Sequence, residues 1–210
     1  MTDAGRPLVA VLDYGIGNLR SAQKALERVG ADARLTADHG LISEAAGVVL
    51  PGVGAFGSCM AALRRTGLDE PAAEAASERP FLGVCVGMQL LYEGSEEDPG
   101  VPGLGVLPGT VRRLPDGVKR PQMQWNTLDI VGEPALFERV ERPVWVYFVH
   151  SYAADPGEHV VATCHYGRPL AAAVERGRLW ATQFHPEKSS TAGLAILGNW
   201  VRRLGAEVPA

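Results

Sequence analysis

Short apolar runs alternate with helical patterns through the first half of the sequence, and this alternation limits the fold more than any other feature. Residues 8–14, "LVAVLDY", have the character of a buried strand, and apolar residues then recur at helical spacing up to Gly30. The same order recurs in "GVVL" (47–50) before a helix around "SCMAALRR", and in "PFLGV" (80–84) before "MQLLYE". Strands that alternate with helices of this length predict an α/β fold, with a mostly parallel central sheet flanked by helices on both faces.

The second half of the sequence has a different pattern. Residues 93–109 are crowded with glycine, proline and acidic residues, which predicts a long surface loop. Three β-like runs follow at 144–152, 159–166 and 179–184, and they predict antiparallel additions to the sheet. A last helix is predicted around Trp200. No repeat or linker interrupts the chain, so we expect a single domain over residues 1–210.

Charge and cysteine content exclude several classes of function. A net charge of -4 and a pI near 5.7 give no electrostatic reason to expect nucleic acid or an anionic membrane as a partner. No apolar run reaches the eighteen or so residues of a membrane span, and "MTDAGRP" at the start lacks the pattern of a signal peptide. Three cysteines are too few and too scattered for a disulfide framework or a CxxC metal site. We therefore expect a cytosolic protein without a metal or other cofactor.

The first candidate for chemistry is Cys85, in the turn that follows the strand ending at Val84. Sites in open parallel sheets form beyond the carboxyl ends of the strands, and "GVCVG" has the G-x-nucleophile-x-G form of a strand-to-helix elbow. The glycines relieve crowding on a turn whose strained backbone costs roughly 1–3 kcal/mol, and a following helix N-terminus would lower the thiol pKa. A lone cysteine is also often a buried packing residue, and the pentapeptide leaves both interpretations open. For Cys59 and Cys164 we adopt the packing interpretation.

A reactive cysteine needs a base, and His185 is the best placed of the five histidines. "QFHPEKSS" puts His185 at the carboxyl end of a predicted strand, on the same sheet edge as Cys85. In an extended segment residues i and i+2 project to the same side, so Glu187 can orient one ring nitrogen while the other faces the thiol. By itself the segment would favour an exposed turn after a strand, with Pro186 as the breaker, and only together with the elbow does the catalytic interpretation become the better one. His150, in "VYFVHSY", is a second and weaker candidate.

Backbone donors for a developing oxyanion are predicted in "PGVGAFG" (51–57), which follows the strand "GVVL". Three glycines in seven residues allow the backbone N–H groups to approach a substrate closely. The N–H of Val86, directly after the candidate nucleophile, is the expected second donor. A flexible glycine turn is the alternative.

Together, the cysteine elbow, the H-P-E segment and the glycine-rich strand resemble the class I, triad-type glutamine amidotransferases. Four segments are similar to the glutaminase subunits of imidazole glycerol phosphate synthase, an enzyme of histidine biosynthesis, and the similarity covers almost the whole chain. The four segments are "DYGIGNLRS", "PGVGAFG", "YFVHSY" and "HPEKSS". The resemblance implies a flavodoxin-like class I glutamine amidotransferase fold.

The resemblance also implies a role for each residue of the site. Cys85 would attack the side-chain amide of glutamine, His185 would move the proton, Glu187 would orient His185, and ammonia and glutamate would be the products. The peptide between Gly52 and Val53 would reorient when the partner is loaded. The implied oxyanion and substrate-binding residues are Gly52, Val53, Gly54, Val86, Gln89, Ser151 and Tyr152.

The implied partner is a (β/α)₈-barrel cyclase, bound as a heterodimer. This partner uses the ammonia to make imidazole glycerol phosphate and an aminoimidazole carboxamide ribotide. Interface roles carry over to Asn18, Trp125 and Lys188, and the residues alone would also allow Trp125 in the core and Lys188 as a solvated strand end. The chain departs from the family at "PQMQWN" (121–126), where Gln122 and Gln124 replace histidine and glycine. Gln124 puts the local interface geometry in question.

Other interpretations remain open at this point. A glutaminase subunit for anthranilate or pyridoxal phosphate synthesis would share the triad, but it gives no reason for "DYGIGNL" or "YFVHSY". A DJ-1-type cysteine-elbow redox or stress module would leave His185 and Glu187 unexplained. An inactive glutaminase kept as a scaffold would not need an intact triad.

Overall fold

The computed structural model describes residues 5–17 and 19–204, and within these ranges an eight-stranded sheet forms the centre of the protein. The strands are β1 (Leu8–Leu12), β2 (Asp32–Thr36), β3 (Gly47–Gly52), β4 (Phe81–Cys85), β5 (Tyr92–Ser95), β6 (Leu107–Arg113), β7 (Gln122–Thr127), β8 (Asp129–Ile130), β9 (Trp145–His150), β10 (Tyr152–Ala153), β11 (Val160–Tyr166), β12 (Arg168–Arg176) and β13 (Leu179–Thr182). The helices are α1 (Leu19–Arg28), α2 (His39–Glu44), α3 (Phe56–Arg65), α4 (Asp69–Glu78), α5 (Val86–Gln89) and α6 (Ser190–Arg202), with single 3₁₀ turns at Ala135–Phe137 and Pro186–Lys188.

The central sheet has the order β2-β1-β3-β4-β13-β12-β11-β8. Its first five strands are parallel, and β12, β11 and β8 add to it in antiparallel pairs. Strands β5, β6 and β10 form a three-stranded sheet, and β7 pairs with β9 in a two-stranded ribbon. The predicted α/β class, with a mostly parallel sheet and antiparallel strands in the second half, is confirmed.

The inner parallel strands β1, β3 and β4 are almost entirely apolar, as expected for strands that helices cover on both faces. Every residue of β3 and β4 is buried, as are four of the five residues of β1. Each fully buried Val or Leu side chain contributes about 1.5–3 kcal/mol relative to its exposed state. The sheet therefore gives a rigid base for the turns at its carboxyl edge.

Two details differ from the sequence-based expectation near the elbow. The helix after Cys85 is the single turn α5, whereas "MQLLYE" predicted a longer one, and Tyr92 begins β5 instead. Parallel pairing with β6, Tyr92 opposite Leu107, overrides the local helical pattern. The predicted loop over 93–109 accordingly begins and ends in strands.

Two of the late β-like runs also pair differently from the prediction. Strand β9 lies in the ribbon with β7 and not in the central sheet, and β13 is parallel to β4 while antiparallel to β12. This arrangement follows from β12, which the sequence analysis did not predict because "RPLAAAVER" has a single β-branched residue, Val174, and three consecutive alanines. Within the described part of the chain, no helix combines the length and the apolar character needed to cross a membrane.

Candidate active site

Cys85 ends β4 on a strained turn. Its backbone has φ 56° and ψ -115°, a region that non-glycine residues rarely adopt and that costs roughly 1–3 kcal/mol. The chain can turn here because Gly87 packs directly under β3: a Cβ at Gly87 would lie 1.8 Å from the Leu50 carbonyl oxygen. The predicted strand-to-helix elbow is present, and it lifts the Cys85 side chain to the carboxyl edge of the sheet.

His185 and Glu187 lie next to this elbow because β13 is the parallel neighbour of β4. The His185 Nδ1 atom is 2.8 Å from Glu187 Oε1, and the side chains are 3% and 8% exposed. The segment is anchored by two further bonds: His185 N–H donates to the Tyr147 carbonyl at 3.0 Å, and Ser189 Oγ donates to the His185 carbonyl at 2.6 Å. With Nδ1 engaged by the carboxylate, Nε2 is left without a hydrogen-bond partner among the described residues. Nε2 is thus the atom that can exchange a proton with Cys85 or a substrate.

Opposing effects set the pKa of His185. Burial lowers it, but the nearby Cys85 sulfur and the Glu187 carboxylate both favour the charged ring and together raise the pKa to about 9. At neutral pH the environment therefore favours a charged imidazolium ring at His185, beside the Cys85 sulfur.

His150 does not share this environment. Its Nδ1 atom is 2.9 Å from the Tyr152 carbonyl oxygen, which accepts the ring proton. Burial is the main cause that lowers its pKa to about 4, so the ring stays neutral at physiological pH. No carboxylate orients it, and His185 is the better base.

A cavity of about 250 Å³ opens over the thiol. This volume lies near the lower end of small-molecule pockets, about 300 Å³, which suits a ligand the size of an amino acid. Eight residues predicted for the site line it together: Val53, Gly54, Cys85, Val86, Gln89, Ser151, Tyr152 and His185. His150, Pro121, Val149 and Glu97 complete the wall.

The Gln89 side chain is held in one orientation. Its amide nitrogen donates to the Tyr152 carbonyl at 2.8 Å and to Gln183 Oε1 at 3.0 Å. With both amide protons committed, its Oε1 atom remains as a hydrogen-bond acceptor. Gln89 can therefore receive a donor group of a ligand in the cavity.

The predicted oxyanion segment lies against the elbow. Gly52 pairs with Cys85, and a Cβ at Gly52 would lie 2.7 Å from the Gly87 nitrogen. The ladder between β3 and β4 begins with Val48 N–H donating to the Pro80 carbonyl at 2.9 Å. Alternation along a parallel ladder then directs the Gly52 carbonyl towards the N–H of Val86. In this conformation the Gly52 carbonyl competes for the donor that an oxyanion would need.

Glu97 was missed by the sequence analysis. Its Oε2 atom accepts the Phe56 N–H at 2.8 Å, which brings the carboxylate from the loop after β5 to the wall of the cavity. Glu97 stands in an acidic run, "SEEDPG", that looks like an exposed loop. No spacing in that run separates the one inward carboxylate from its neighbours.

The three predicted interface residues have different outcomes. Trp125, on β7, is 44% exposed, so it is not a core residue, and Lys188 is exposed beside Glu187. Asn18 lies outside the described residues.

Gln124 does not have the positive φ that would demand glycine, so "PQMQWN" forms an ordinary strand here. Gln122 is fully buried, with neither amide atom hydrogen-bonded to the described residues.

A metal site is not part of this arrangement. Over residues 5–17 and 19–204, no three His, Cys, Asp or Glu side chains are grouped closely enough to hold a metal ion. Instead, a thiol, an oriented imidazole and backbone N–H donors surround one cavity. These are the groups that acyl transfer from an amide or ester requires.

Comparison with known proteins agrees with this chemistry. The family model described as "Glutamine amidotransferase class-I" matches residues 10–204. A solved structure titled "Crystal structure of glutamine amidotransferase" has a TM-score of 0.73 at 23% identity, covering 94% of this chain and 99% of its own. The structure of PurLQS from Thermotoga maritima has a TM-score of 0.69 at 18% identity, covering 95% and 97%. At these identities the two structures show a shared fold alone.

Curated relatives narrow the family further. Imidazole glycerol phosphate synthase subunit HisH of Thermobifida fusca is 47% identical over 95% of this chain and 100% of its own length. HisH of Methanothermobacter thermautotrophicus is 48% identical, with 95% and 100% covered, and HisH of Mycobacterium bovis is 51% identical, with 92% and 96% covered. The chain therefore belongs to the class I glutamine amidotransferase family and, within it, to the HisH subunits of imidazole glycerol phosphate synthase.

Proposed function

We propose that this chain is a single glutaminase domain that hydrolyses L-glutamine to glutamate and ammonia with Cys85, His185 and Glu187, and passes the ammonia to a partner subunit for histidine biosynthesis. The observation that carries the proposal is the 2.8 Å pair of His185 and Glu187 beside the Cys85 elbow, on adjacent parallel strands. A cysteine-elbow redox module would have no use for this pair.

The cavity provides groups that match each end of a glutamine molecule. Glu97 offers a carboxylate, and Gln89 an amide oxygen, to the α-ammonium group. Ser151 and Tyr152 also line the cavity, where their backbone can bind the α-carboxylate. With its two charges held in this way, the substrate places its side-chain amide at Cys85.

The chemical steps follow from the arrangement of the three side chains. The Cys85 thiolate attacks the amide carbon, and the π electrons of the carbonyl move to oxygen. The His185 imidazolium then donates its Nε2 proton to the amide nitrogen, the C–N bond breaks, and ammonia leaves a thioester on Cys85. His185, now neutral, takes a proton from water as the water oxygen attacks the thioester. The C–S bond breaks, and glutamate and the thiolate are released.

The oxyanion donors explain why the chain would need a partner for full activity. While the Gly52 carbonyl is directed towards Val86 N–H, that donor is not free for the oxyanion. Rotation of the Gly52–Val53 peptide would move the carbonyl away and bring the Val53 N–H towards the cavity. Removal of one oxyanion donor costs other hydrolases roughly 10²–10³ in kcat, so we expect slow turnover of the isolated chain.

A small void marks a route for the ammonia. It measures about 20 Å³, room for one molecule the size of water or ammonia. It shares His185 and Val53 with the lining of the substrate cavity, and it is also bounded by Gly52, Glu187, Lys188 and the turn at Ile16 and Gly17. We infer that ammonia leaves in this direction, towards the face that carries Lys188.

The partner we propose is a (β/α)₈-barrel cyclase that makes imidazole glycerol phosphate and the ribotide. The β7–β9 ribbon presents Met123, Trp125 and Trp145 at 61%, 44% and 51% exposure. Exposed apolar side chains in one patch are typical of an interaction site, and tryptophan is a frequent anchor. We place the reaction in the cytosol, in line with three free cysteines.

The test is glutamate release by the purified chain, with and without the cyclase subunit and its nucleotide ligand. We expect slow release alone, faster release in the complex, and none above background for Cys85→Ala. Cys164→Ala, which removes another buried thiol, should behave as the unmodified chain. Turnover that survives Cys85→Ala would contradict the assignment of the nucleophile. A cyclase that neither binds nor changes the rate would overturn the pathway while leaving the glutaminase intact.

A further inference from the structure

Two carbonyl groups of the "PGVG" segment are held by buried side chains that do not line the substrate cavity. The Tyr14 hydroxyl donates to the Pro51 carbonyl at 2.6 Å, and the Cys59 thiol donates to the Val53 carbonyl at 3.3 Å. Tyr14 is 1% exposed and Cys59 is 0% exposed. Neither Tyr14 nor Cys59 is among the residues that line the substrate cavity.

The sheet itself does not supply these donors. Strand β1 pairs with β3 only as far as Val49, so the Pro51 carbonyl lies beyond the last rung of that ladder. Tyr14 stands two residues after the end of β1 and reaches across to it. Cys59 reaches the Val53 carbonyl from the first turns of α3. Buried carbonyl groups are rarely left without a hydrogen bond. Here the Tyr14 and Cys59 side chains supply the donors that a neighbouring strand does not.

Both donors keep their protons at neutral pH. Burial raises the pKa of Tyr14 above its usual range, and burial is also the main cause that raises the pKa of Cys59 to about 11. A deprotonated phenolate or thiolate could not donate to a carbonyl. The two bonds are therefore present over the pH range in which the enzyme would work.

We propose that Tyr14 and Cys59 are positioning residues that fix the peptides on either side of the Gly52–Val53 peptide, so that backbone rotation beside the thiol is confined to that single peptide. The Pro51 carbonyl belongs to the preceding peptide and the Val53 carbonyl to the following one. Because a trans peptide holds its C=O and N–H in opposite directions, the bond to Cys59 also points the Gly54 N–H away from Cys59. This inference rests on the function proposed above.

The kinetic test compares Tyr14→Phe, Cys59→Ala and Cys59→Ser in the complex with the cyclase subunit. When one of the two hydrogen bonds is lost, the peptide that it holds can adopt further orientations, and in these the backbone donor for the oxyanion is misplaced. We therefore expect kcat for glutamate release to fall about tenfold. The KM for glutamine should stay unchanged, because the groups that bind its charged ends are untouched. Cys59→Ser keeps a hydrogen-bond donor and should restore most of the kcat lost in Cys59→Ala.

Matched controls separate positioning from loss of stability. Tyr92→Phe and Cys164→Ala each remove one buried polar group of the same kind elsewhere. Both control variants should keep the kcat of the unmodified chain, even if their melting temperatures fall as far as those of the test variants. Unchanged kcat in Tyr14→Phe and Cys59→Ala would overturn the proposal. So would a Cys59→Ser variant no better than Cys59→Ala.

A second measurement decides the proposal without any turnover. Amide NMR signals of Gly52, Val53 and Gly54 should shift, broaden and exchange faster with solvent in Tyr14→Phe and Cys59→Ala, but not in the controls. Unaltered signals would contradict the positioning role. If the unmodified complex released no glutamate, the proposed function would fail, and these signals would still show whether the two side chains hold the segment.

Discussion

His185 shows how far a single residue departs from its ordinary chemistry in this site. Burial opposes the charge on the ring, yet Cys85 and Glu187 outweigh burial and raise the pKa to about 9. A neutral His150 lines the same cavity with its pKa lowered to about 4. Two histidines that line one cavity thus differ in charge at neutral pH, because the Cys85 sulfur and the Glu187 carboxylate raise the pKa of His185 while burial lowers that of His150.

This difference predicts a pH-dependent stability. The folded pKa of His185, about 9, lies above the unfolded value of about 6.5, so the folded chain binds more protons between these values. The stabilisation is complete below about pH 6.5 and is lost as the pH rises through about 9. Urea unfolding across this range should show a falling midpoint, and the fall should be smaller in Glu187→Gln.

The exposed His165 gives the control, since His165→Gln should leave this profile unchanged. Glu187→Gln should also lower the His185 pKa in an NMR titration and reduce kcat by roughly 10²–10⁴, as loss of the orienting carboxylate does in serine hydrolases. An unaltered His185 titration in Glu187→Gln would show that the carboxylate does not set the charge of the ring.

The proposed triad residues could be selected from sequence because each sits in a short motif at a strand end, and the structure brings them together. Glu97 and Tyr14 could not be selected in this way, although both lie close to the same cavity or its backbone. Their partners, Phe56 and Pro51, lie 41 and 37 residues away, and the contacts depend on how loops fold back over the sheet. A residue whose role depends on a distant backbone atom leaves no local pattern in the sequence.

At the scale of elements, the elbow depends on contact between α5 and β3. A Cβ at Gly87 would meet the Leu50 carbonyl oxygen at 1.8 Å, and this oxygen belongs to the β3 backbone, which cannot move aside as a flexible side chain would. Gly87→Ala should therefore destabilise the chain by about 3 kcal/mol and abolish glutamate release. Denaturant unfolding and the glutaminase assay check the two effects.

Gly157→Ala is the matched control for this prediction. No atom lies within 4 Å of a Cβ at Gly157, and its φ is not positive, so the change should be within about 0.5 kcal/mol. A Gly87→Ala chain as stable and active as Gly157→Ala would show that the elbow can open without cost.

Elements with a strong periodic signal were predicted from sequence, and those fixed by tertiary pairing were not. Strands β1, β3 and β4 and helices α1, α3 and α6 stand where apolar spacing places them. Strand pairing in the tertiary structure determines three further features: the short helix α5, the strand β12 and the separate β7–β9 ribbon. Pairing of that kind is decided between residues far apart in the chain, where local propensity is a weak guide.

At the scale of the whole molecule, the exposed ribbon predicts where the partner docks. Trp125 packs edge-on against Tyr147, with ring centroids 6.2 Å apart, so its exposed ring is already ordered for contact. Trp125→Ala should weaken binding of the cyclase subunit at least tenfold, about 1.4 kcal/mol or more. Calorimetric titration measures this loss, and the melting temperature of the free chain should hardly change.

Val131→Ala serves as the control, because Val131 is 65% exposed but lies away from the ribbon. Equal affinity of the Trp125→Ala and Val131→Ala chains would place the interface elsewhere. A large drop in melting temperature would instead assign Trp125 to folding.

Because β13 lies between β4 and β12, strand β4 cannot complete its pairing in the nascent chain until β13 has been synthesised. Cys85 leaves the ribosome long before Gln183, which follows it by 98 residues. Until β13 emerges, β4 is a fully apolar strand with one unpaired edge, which is prone to join other chains. An incomplete product of translation would thus carry the proposed nucleophile without its proposed base, so it would be prone to aggregate but would not hydrolyse glutamine.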